Sequence, residues 1–543
     1  MNRRRTTSRL LVVSGAALTL LAPLASASAT AAKTAAPTTT WITKPLPPAS
    51  GTGLVRNEDG EPGIGVTPSG QFWIGSDIAP YAADDPRAEK NSGVLSGGDV
   101  WSSNGDGSSY TWNSDPFAEA VTRFGLAGED TDLTVATEKN SNGFYNVYIA
   151  SLWIGSSGLA WSADGGKTWQ LNRLGGVPAQ DRPWLAADGP CDVVIGYHQL
   201  PLFTPFVNTY DVCTNGNVPI SGGATLDPVN NTALTLSDFP GTSSSFNKQV
   251  IDTSPTSPHR HAIYFPMTLC AAEQPTDVLI AQANGCNGTQ YLVAVSTDGG
   301  MTFSYHKVVL DPSNAVLVWA ATVATDAAGT VYFAWSDARN SYLNVSHDGG
   351  TTWSASKKLN APKTAAVYPT VAAGKSGRVD VAWYGTPRAG NSNDSKVMGK
   401  PNADGSAAWS VMLARSTDGG ASFAIRKISS TIHRGELCTG GSSCSDTSSR
   451  NLLDDFGVAI SPTTGLDSIA FTDDQPQGVN SKAFTAYATE LPAVNVIFRP
   501  AHHTTTGAGK KLATTGGTVA PAVAGLVLVF AGLWLRRRRT VLS

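Results

Sequence analysis

An octapeptide that recurs four times constrains the fold of this chain more than any other feature. Each copy has the form Ser-x-Asp-Gly-Gly-x-Thr/Ser-Trp/Phe, and the copies occupy residues 162–169, 296–303, 346–353 and 416–423. A broken fifth copy lies at residues 103–107, with Thr111 and Trp112 downstream. Because a motif that recurs within one chain indicates repeated supersecondary units, the sequence predicts a repeat architecture.

The octapeptide has the chemistry of a tight turn between two strands. Its Asp is expected to accept hydrogen bonds from turn amides, its two Gly residues to adopt positive φ, and its aromatic residue to cover the sheet. Flanking segments such as residues 291–295 have the composition of strands. We therefore predict structural roles for the four aspartates, which are Asp164, Asp298, Asp348 and Asp418.

A second, longer repeat consists of an acidic or aromatic leading residue, a strand, a Gly-containing turn and another strand. Its copies begin at Glu61, Asp181, Tyr368 and Asp455, with weaker copies near Asp132, Asp252 and Trp319. The first and last copies are 394 residues apart (455 minus 61) over six steps, or about 66 residues each. This length suits a four-stranded blade with one long loop.

The repeats predict an all-β propeller over residues 48–499, with Asp-containing turns in four-stranded blades. Seven blades are favoured, and six are the alternative, because one weak repeat can be an insertion. A β-sandwich would not explain a paired repeat of this length. The segment 221–245, rich in Ser, Thr, Gly and Asn, is expected to be an irregular surface loop.

In a propeller the first strand of each blade lines the central channel, so the leading residues should converge at one end of it. The sequence thus predicts a ring of carboxylates, formed by Glu61, Asp132, Asp181, Asp252 and Asp455. Three interpretations stay open. One carboxyl acts as the general acid of glycoside hydrolysis, or the ring binds Ca²⁺ on the axis, or each acid caps backbone amides of its own blade.

Together the repeats resemble the Asp-box, or BNR, proteins of the sialidase superfamily, and the resemblance covers most of the chain. It implies that three arginines clamp a sugar carboxylate, that a tyrosine paired with a glutamate attacks the sugar, and that an aspartate is the acid/base. No Arg-Ile-Pro segment opens the propeller, where the family has its first arginine; Arg56 lies near that place without the motif.

Candidates for the catalytic roles implied by the resemblance follow from position in the repeats. The arginines are Arg182, Arg388 and Arg450; the nucleophile is Tyr384; the acid is Asp132 or Asp181; and Asp455 belongs to the same group. Glu61 and Asp252 are assigned to substrate binding. For each arginine, a salt bridge on the surface or between blades is the alternative role.

Six cysteines lie in the body of the chain, and an even count favours disulfides in an oxidising compartment. Of the fifteen possible pairings we favour the three local ones, Cys191–Cys213, Cys270–Cys286 and Cys438–Cys444, each of which closes a loop within one repeat. A zinc site is the alternative, but no C-x-x-C or clustered His spacing accompanies the thiols. A bridged loop at residues 436–444 would stand near the channel mouth.

The N-terminus has the order of a secretory signal peptide. Arginines at positions 3–5 and 9 precede an apolar stretch over residues 10–24 and a run of small residues at 25–29. We predict a signal peptide over residues 1–29, cleaved near Ala27 or Ala29, and a linker over residues 30–47.

The C-terminus carries a flexible stalk over residues 500–511 and a three-part signal over residues 512–543. The signal comprises Leu512-Ala513-Thr514-Thr515-Gly516, an apolar run at 519–535 and four arginines at 536–539. It resembles the sortase signal of Gram-positive surface proteins, with Ala513 in place of Pro. It implies a transient membrane span, cleavage by a sortase and attachment to peptidoglycan, and an ordinary membrane anchor is the alternative.

Composition limits the remaining possibilities. Only 15% of residues are charged and the net charge is −3, so no basic surface for nucleic acid is expected. No cofactor or metal is predicted other than the Ca²⁺ that the carboxylate ring would bind in one of its three interpretations, and a monomer is expected. Two functions follow: a cell-surface, sialidase-like glycoside hydrolase acting on extracellular glycans or glycoproteins, or a non-catalytic propeller that binds glycan or protein.

Overall fold

The computed structural model describes residues 39–50, 56–78, 98–118, 128–153, 156–173, 180–199, 204–216, 220–225, 241–271, 290–310, 321–439, 444, 447–475 and 483–492. Both predicted targeting ends, residues 30–38 of the predicted linker and the stalk lie outside the described residues. Within the described residues, no helix is long and apolar enough to cross a membrane.

The described chain folds into seven small antiparallel sheets, or blades. Strand β1 (Thr39–Pro45) precedes them and belongs to the last. Blade 1 has β2 (Asp59–Val66), β3 (Phe72–Ile78), β4 (Asp99–Ser103) and β5 (Tyr110–Ser114). Blade 2 has β6 (Gly128–Lys139), β7 (Tyr145–Trp153), β8 (Ser156–Ser162) and β9 (Gln170–Arg173). Blade 3 has β10 (Gln180–Asp188), β11 (Asp192–Gln199), β12 (Thr204–Asp211) and β13 (Ser221–Thr225), with a one-turn helix α1 (Val212–Asn215) after β12.

The next three blades follow the same plan. Blade 4 has β14 (Gly241–Phe246), β15 (Val250–Ile251), β16 (Ile263–Ala271), β17 (Gln290–Ser296) and β18 (Ser304–Leu310). Blade 5 has β19 (Thr322–Thr325), β20 (Val331–Ser336), β21 (Ser341–Ser346) and β22 (Lys357–Lys358). Blade 6 has β23 (Ala365–Ala373), β24 (Val379–Thr386), a short helix α2 (Ser395–Met398), β25 (Ala408–Ser416), β26 (Ala424–Lys427) and β27 (His433–Arg434), which pairs with β25.

Blade 7 closes the ring. A 3₁₀ helix (Thr447–Arg450) leads into β28 (Gly457–Ile460), β29 (Asp467–Asp473) and β30 (Phe484–Pro492). Strand β1 supplies the fourth strand and pairs antiparallel with β30 over its whole length, from Thr39 opposite Pro492 to Pro45 opposite Ala486. Residues 39–45, which the sequence analysis assigned to the linker, therefore belong to the propeller.

The innermost strand of each blade contacts the innermost strands of its two neighbours, from β2 through β6, β10, β15, β19, β23 and β28 back to β2; in blade 4, β14 and β15 together form the innermost strand. Such a closed circuit requires radial sheets and excludes two stacked layers. The favoured count of seven blades is confirmed. Apolar clusters fill the space between adjacent blades; one joins Tyr332 of blade 5 to Val381 and Trp383 of blade 6. Central strands such as β20 and β24 are therefore buried on both faces.

The octapeptides form the predicted turns between the third and fourth strands of blades 2, 4, 5 and 6. In the first copy Asp164 Oδ1 accepts from the Thr168 amide at 3.0 Å and Oδ2 from the Thr168 hydroxyl at 2.6 Å. Gly165 and Gly166 have φ of 75° and 86°. Asp298, Asp348 and Asp418 accept equivalent bonds. None of the four aspartates lines a cavity described below.

Two of the three predicted disulfides are present, Cys191–Cys213 in blade 3 and Cys438–Cys444 before blade 7. Cys286 and the side chain of Cys270 lie outside the described residues, so the third pair stays a prediction. Since the Cys191 and Cys213 sulfurs are bonded to each other, their proximity to Asp211 does not make a zinc site. The expected irregular loop at 221–245 is wrong at both ends, because β13 and β14 lie there and extend blades 3 and 4.

Candidate functional site

The first strands enclose a cavity of about 280 Å³ on the propeller axis. Residues of all seven blades line it, from Glu61 and Asp455 at one end to Ala373 and Ile460 at the other. A second cavity of about 770 Å³ lies around the opposite ends of the same strands. The carboxyl-bearing end is the candidate site, and we call it the channel mouth.

Four blades have a β-bulge with a positive-φ residue near the start of the first strand, where the register shifts between Gly60 and Gly63, Glu129 and Thr131, Asp181 and Trp184, and Val367 and Thr370. Each bulge holds one residue with positive φ, namely Glu61 (46°), Asp130 (48°), Arg182 (52°) and Tyr368 (52°). Non-glycine residues adopt this conformation at a cost, and such strain concentrates at functional sites. The bulges place these four side chains around the channel mouth.

Asp454, fully buried in the loop before β28, is the centre of the channel mouth. Its Oδ2 accepts from Arg182 Nη2 at 2.7 Å and from Arg450 Nη2 at 3.0 Å, and its Oδ1 accepts from the Tyr368 hydroxyl at 3.2 Å. Burial alone would raise the pKa of Asp454, but the Arg450 and Arg182 guanidinium groups outweigh it and hold the pKa at about 2. Asp454 is therefore a fixed carboxylate.

The neighbouring Asp455 has the opposite electrostatics. Its Oδ2 lies 3.7 Å from Arg182 Nη1, and its Oδ1 accepts from Asn247 Nδ2 at 3.3 Å. Burial raises the pKa of Asp455 to about 7; Arg182 opposes this rise and the Asp454 charge adds to it. Asp455 thus exchanges a proton near neutral pH.

Glu61 and Asp130 are the other two carboxyl residues at the channel mouth. Glu61 is 6% exposed, and its Oε1 accepts from the Asp454 amide at 3.0 Å. Burial, followed by the charges of Asp130 and Asp77, raises the pKa of Glu61 well above its ordinary value. Asp130 is only half-buried. Glu61, Asp130, Arg182 and Asp455 line one small cavity together.

Deeper in the channel, Lys248 of blade 4 reaches Asp132 of blade 2. Its Nζ lies 2.6 Å from Asp132 Oδ1 and donates to the Leu133 carbonyl at 2.9 Å. The other Asp132 oxygen accepts from the Leu185 amide of blade 3 at 2.7 Å. Burial raises the pKa of Asp132 against the opposing effect of Lys248. Asp132 therefore ties three blades together and lies below the channel mouth.

The structure brings together only part of the predicted residue set. Arg182, Arg450, Asp455 and Glu61 meet at the channel mouth, and Asp132 lines the channel. The predicted carboxylate ring matched the wrong residues of blades 2 and 3 to Glu61. In the structure the position equivalent to Glu61 is occupied by Asp130 in blade 2 and by Arg182 in blade 3. Asp181 keeps a strand position opposite His198, and its side chain lies outside the described residues.

Three predicted residues do not line the channel mouth. Tyr384, on the second strand of blade 6, is fully buried, stacks on Phe456 and accepts from the Thr472 amide at 3.4 Å. Arg388 donates to backbone carbonyls of the loop around α2. Asp252 caps a turn through the Ser254 amide at 3.1 Å. Only the first strand of each blade lines the channel. Tyr384 lies on a second strand, so its side chain does not reach the channel mouth.

Sequence reasoning did not identify five residues of the site, namely Asp130, Asn247, Tyr368, Asp454 and Lys248. Of these, Tyr368 was recognised only as the leading residue of a repeat. One signal was available for part of this set: Glu61, Arg182 and Tyr368 each precede a proline. Proline restricts the residue before it and cannot donate to a ladder, so an X-Pro pair at the start of a strand favours a bulge. A calcium ion on the axis stays an untested prediction.

The fold and site together define a seven-bladed β-propeller with buried carboxyl groups at its channel mouth. No family model and no curated protein matches the chain. Similar solved structures include sialidases and arabinofuranosidases. The α-L-arabinofuranosidase Arb93A of Fusarium graminearum is 10% identical, with 64% of this chain and 92% of that chain covered and a TM-score of 0.39.

Two further structures show the range of proteins with this likeness. The NanB sialidase of Streptococcus pneumoniae is 9% identical, with coverages of 83% and 71% and a TM-score of 0.35. YCF48 of Cyanidioschyzon merolae is 11% identical, with coverages of 83% and 98% and a TM-score of 0.39. Structural similarity at these identities and TM-scores gives no information about the reaction or the ligand of this chain.

Proposed function

We propose that the protein is a glycoside hydrolase of the cell surface that acts on extracellular glycans. The observation that carries the proposal is Asp455, a largely buried carboxyl with a pKa of about 7 that lines the axial cavity beside Glu61. Glycoside hydrolysis requires a carboxylic acid that keeps its proton near neutral pH and a second carboxyl on the other side of the scissile bond.

Asp455 is assigned the role of general acid. It transfers its proton to the glycosidic oxygen as the bond from that oxygen to the anomeric carbon breaks. Asp130, the least buried carboxyl of the set, is assigned the role of base that takes a proton from the attacking water. The products are the free sugar and the released alcohol, and the protons balance once Asp130 and Asp455 exchange with solvent.

The sialidase-like version of this proposal uses a tyrosine nucleophile. Tyr368 takes the place of Tyr384 in that version, since its hydroxyl donates to a carboxylate beside two arginines. Burial, followed by the charge of Asp454, raises the pKa of Tyr368 well above its ordinary value, and a carboxylate with a pKa near 2 is a weak base for it. The local chemistry therefore favours the Asp455 mechanism.

The test compares the purified protein with Asp455→Asn and Asp130→Asn on a panel of fluorogenic aryl glycosides. We expect each variant to lose at least about 100-fold in kcat/KM on the best substrate, as general acid/base catalysis contributes that much. Glu138→Gln is the control, because Glu138 is 59% exposed and lines none of the cavities. Turnover by Asp455→Asn at the wild-type rate would contradict the assignment. Glycan binding with no turnover by any form would favour the binding propeller.

The proposed location is the outer face of a Gram-positive cell wall, through sortase cleavage between Thr515 and Gly516. Expression in a sortase-positive host and in its sortase-deficient mutant tests this. The wild type should fractionate with peptidoglycan only in the first host, and release by detergent from both would support the membrane anchor instead.

A further inference from the structure

We infer that the ligand of the channel mouth is an uncharged saccharide, and that Arg182 and Arg450 hold Asp454 in place and do not bind a substrate carboxylate. The inference rests on the proposed function for the identity of the cavity as a glycan site. It departs from the resemblance to sialidases, which implies an arginine clamp for an anionic sugar.

The bonding of the two arginines is the first argument. Arg182 lies 2.7 Å from Asp454 and 3.7 Å from Asp455, and Arg450 lies 3.0 Å from Asp454. Their side chains are 10% and 22% exposed, and Asp454 is not exposed at all. A ligand carboxylate would have to compete with a carboxylate that the chain itself holds at bonding distance. Such a fixed partner has already lost the freedom that a ligand must lose on binding.

The lining of the axial cavity is the second argument. Among the described residues that line it, Lys248 is the one lysine or arginine, and its ammonium is bound by Asp132 and the Leu133 carbonyl. Three carboxyl residues line the same cavity, namely Glu61, Asp132 and Asp455. A ligand carboxylate would therefore lose its hydration in a space where the one lysine is already paired with Asp132, and any ionised fraction of Glu61 or Asp455 would repel it.

The remaining lining suits a neutral polyol. The aromatic residues Trp184 and Phe456 line the axial cavity, Phe456 with one face stacked on Tyr384, and Asn247, Thr131, Thr322 and Thr370 add amide and hydroxyl groups to the lining. Small-ligand sites combine apolar surface with a few placed polar groups in this way. A protonated Asp455 can also donate a hydrogen bond to a sugar oxygen.

The test uses ligand pairs that differ only in charge: p-nitrophenyl β-D-glucoside with the matching glucuronide, the galactoside with the galacturonide, and an aryl α-sialoside. Binding by calorimetry and turnover are both measured at pH 7, on wild type and on Asp455→Asn. We expect at least one neutral member to be preferred over its anionic partner by at least about 30-fold, which is the scale of an unfavourable like-charge contact. The sialoside should bind no better than the anionic partners.

A gain-of-binding variant makes the test sharper. Asp454→Asn releases both guanidinium groups from their shared carboxylate and should raise affinity for the glucuronide or sialoside by about 10-fold. Glu138→Gln removes one negative charge from an exposed residue that lines none of the cavities and should leave anion affinity unchanged. Thermal melting of both variants verifies that they fold.

The outcomes separate the two proposals. Equal or better binding of an anionic member overturns this inference, whereas turnover of that member leaves the hydrolase proposal standing. Selective binding of a neutral member without any turnover supports this inference and overturns the hydrolase proposal. Absence of binding and turnover for every ligand counts against both.

Discussion

At the residue scale, the two adjacent carboxyl groups of Asp454 and Asp455 have shifted pKa values of opposite direction because of their neighbours. Asp454 has two guanidinium groups within 3.0 Å, and its pKa is held at about 2. Asp455 has one guanidinium at 3.7 Å and a charged neighbour in Asp454, so burial prevails and its pKa rises to about 7. One side chain therefore serves as an anchor and the next as a proton donor.

The role of Tyr368 distinguishes the Asp455 mechanism from a tyrosine nucleophile. We expect Tyr368→Phe to retain at least about a tenth of wild-type kcat, because only one hydrogen bond to Asp454 is lost. A nucleophile replaced by phenylalanine would leave almost no activity. Single-turnover kinetics on the best aryl glycoside provide the measurement. Trapping of a covalent sugar on Tyr368 would contradict our account.

At the element scale, the loop that carries Arg450, Asp454 and Asp455 is held from behind by a buried histidine. His433 of β27 bonds Asp474 Oδ2 through Nδ1 at 2.7 Å and the Glu436 carbonyl through Nε2 at 2.9 Å. Asn451 in the loop donates to the same Asp474 oxygen at 3.0 Å. The Cys438 amide also bonds the Ser449 carbonyl at 3.0 Å. These contacts fix the loop relative to blades 6 and 7.

Replacing this histidine should weaken both fold and site. His433→Leu leaves the Asp474 carboxylate buried with fewer donors, so we expect the free energy of unfolding to fall by about 2–4 kcal/mol. His347→Leu, at an exposed histidine of blade 5, is the matched control and should change it little. Denaturant unfolding gives both values. Equal stabilities of the two variants would show that His433 has no anchoring role.

The sequence was sufficient to predict elements that depend on local chemistry. It was not sufficient to predict which side chains reach the channel mouth, because the strand register determines that. The Ser-x-Asp-Gly-Gly turns follow from hydrogen bonds within eight residues, so all four were predictable. Asp132 and Asp130 are only two residues apart, and the bulge that selects Asp130 for the channel mouth arises from pairing with β7. Asp454 was missed because its importance comes from Arg182, 272 residues away.

At the scale of the whole molecule, a network of charges joins blade 6 to blade 7, where strands β1 and β30 close the ring. Arg415 of blade 6 bonds Glu490 Oε2 and Asp467 Oδ2 of blade 7, both at 2.6 Å, and Asp380 Oδ1 at 3.1 Å. Glu490 lies opposite Trp41 of β1 in the register. The three carboxyl groups are fully buried, so the Arg415 charge is their main compensation together with Arg378.

Loss of Arg415 should open this closure. Arg415→Met leaves buried Glu490 without its ion-pair partner and leaves Asp380 and Asp467 with Arg378 alone, so we expect the free energy of unfolding to fall by about 3–5 kcal/mol. Burial acts to raise the pKa of Glu490, but hydrogen bonds from Arg415 and Thr39 and the charges of Arg415 and Arg378 outweigh it and lower the pKa. The stabilising contribution of Glu490 is therefore present above the unfolded pKa and is lost as pH falls through the folded pKa. The wild-type advantage over Arg415→Met should therefore shrink in acid.

Arg426→Met, at an exposed arginine on the neighbouring strand β26, controls for the loss of one positive charge. Melting temperatures of both variants between pH 3 and pH 7 make the comparison. A pH-independent difference between Arg415→Met and wild type would contradict the assigned role of Glu490.

The most direct test of the central claim, that Asp455 is the proton donor of a glycosidase site, is the pH dependence of kcat/KM on the best neutral glycoside. Since the acid must carry its proton, activity should fall as pH rises through about 7, the pKa of Asp455 in the free protein. Asp455→Asn should lose this alkaline limb along with most of its activity. An unchanged limb in Asp455→Asn would contradict the account.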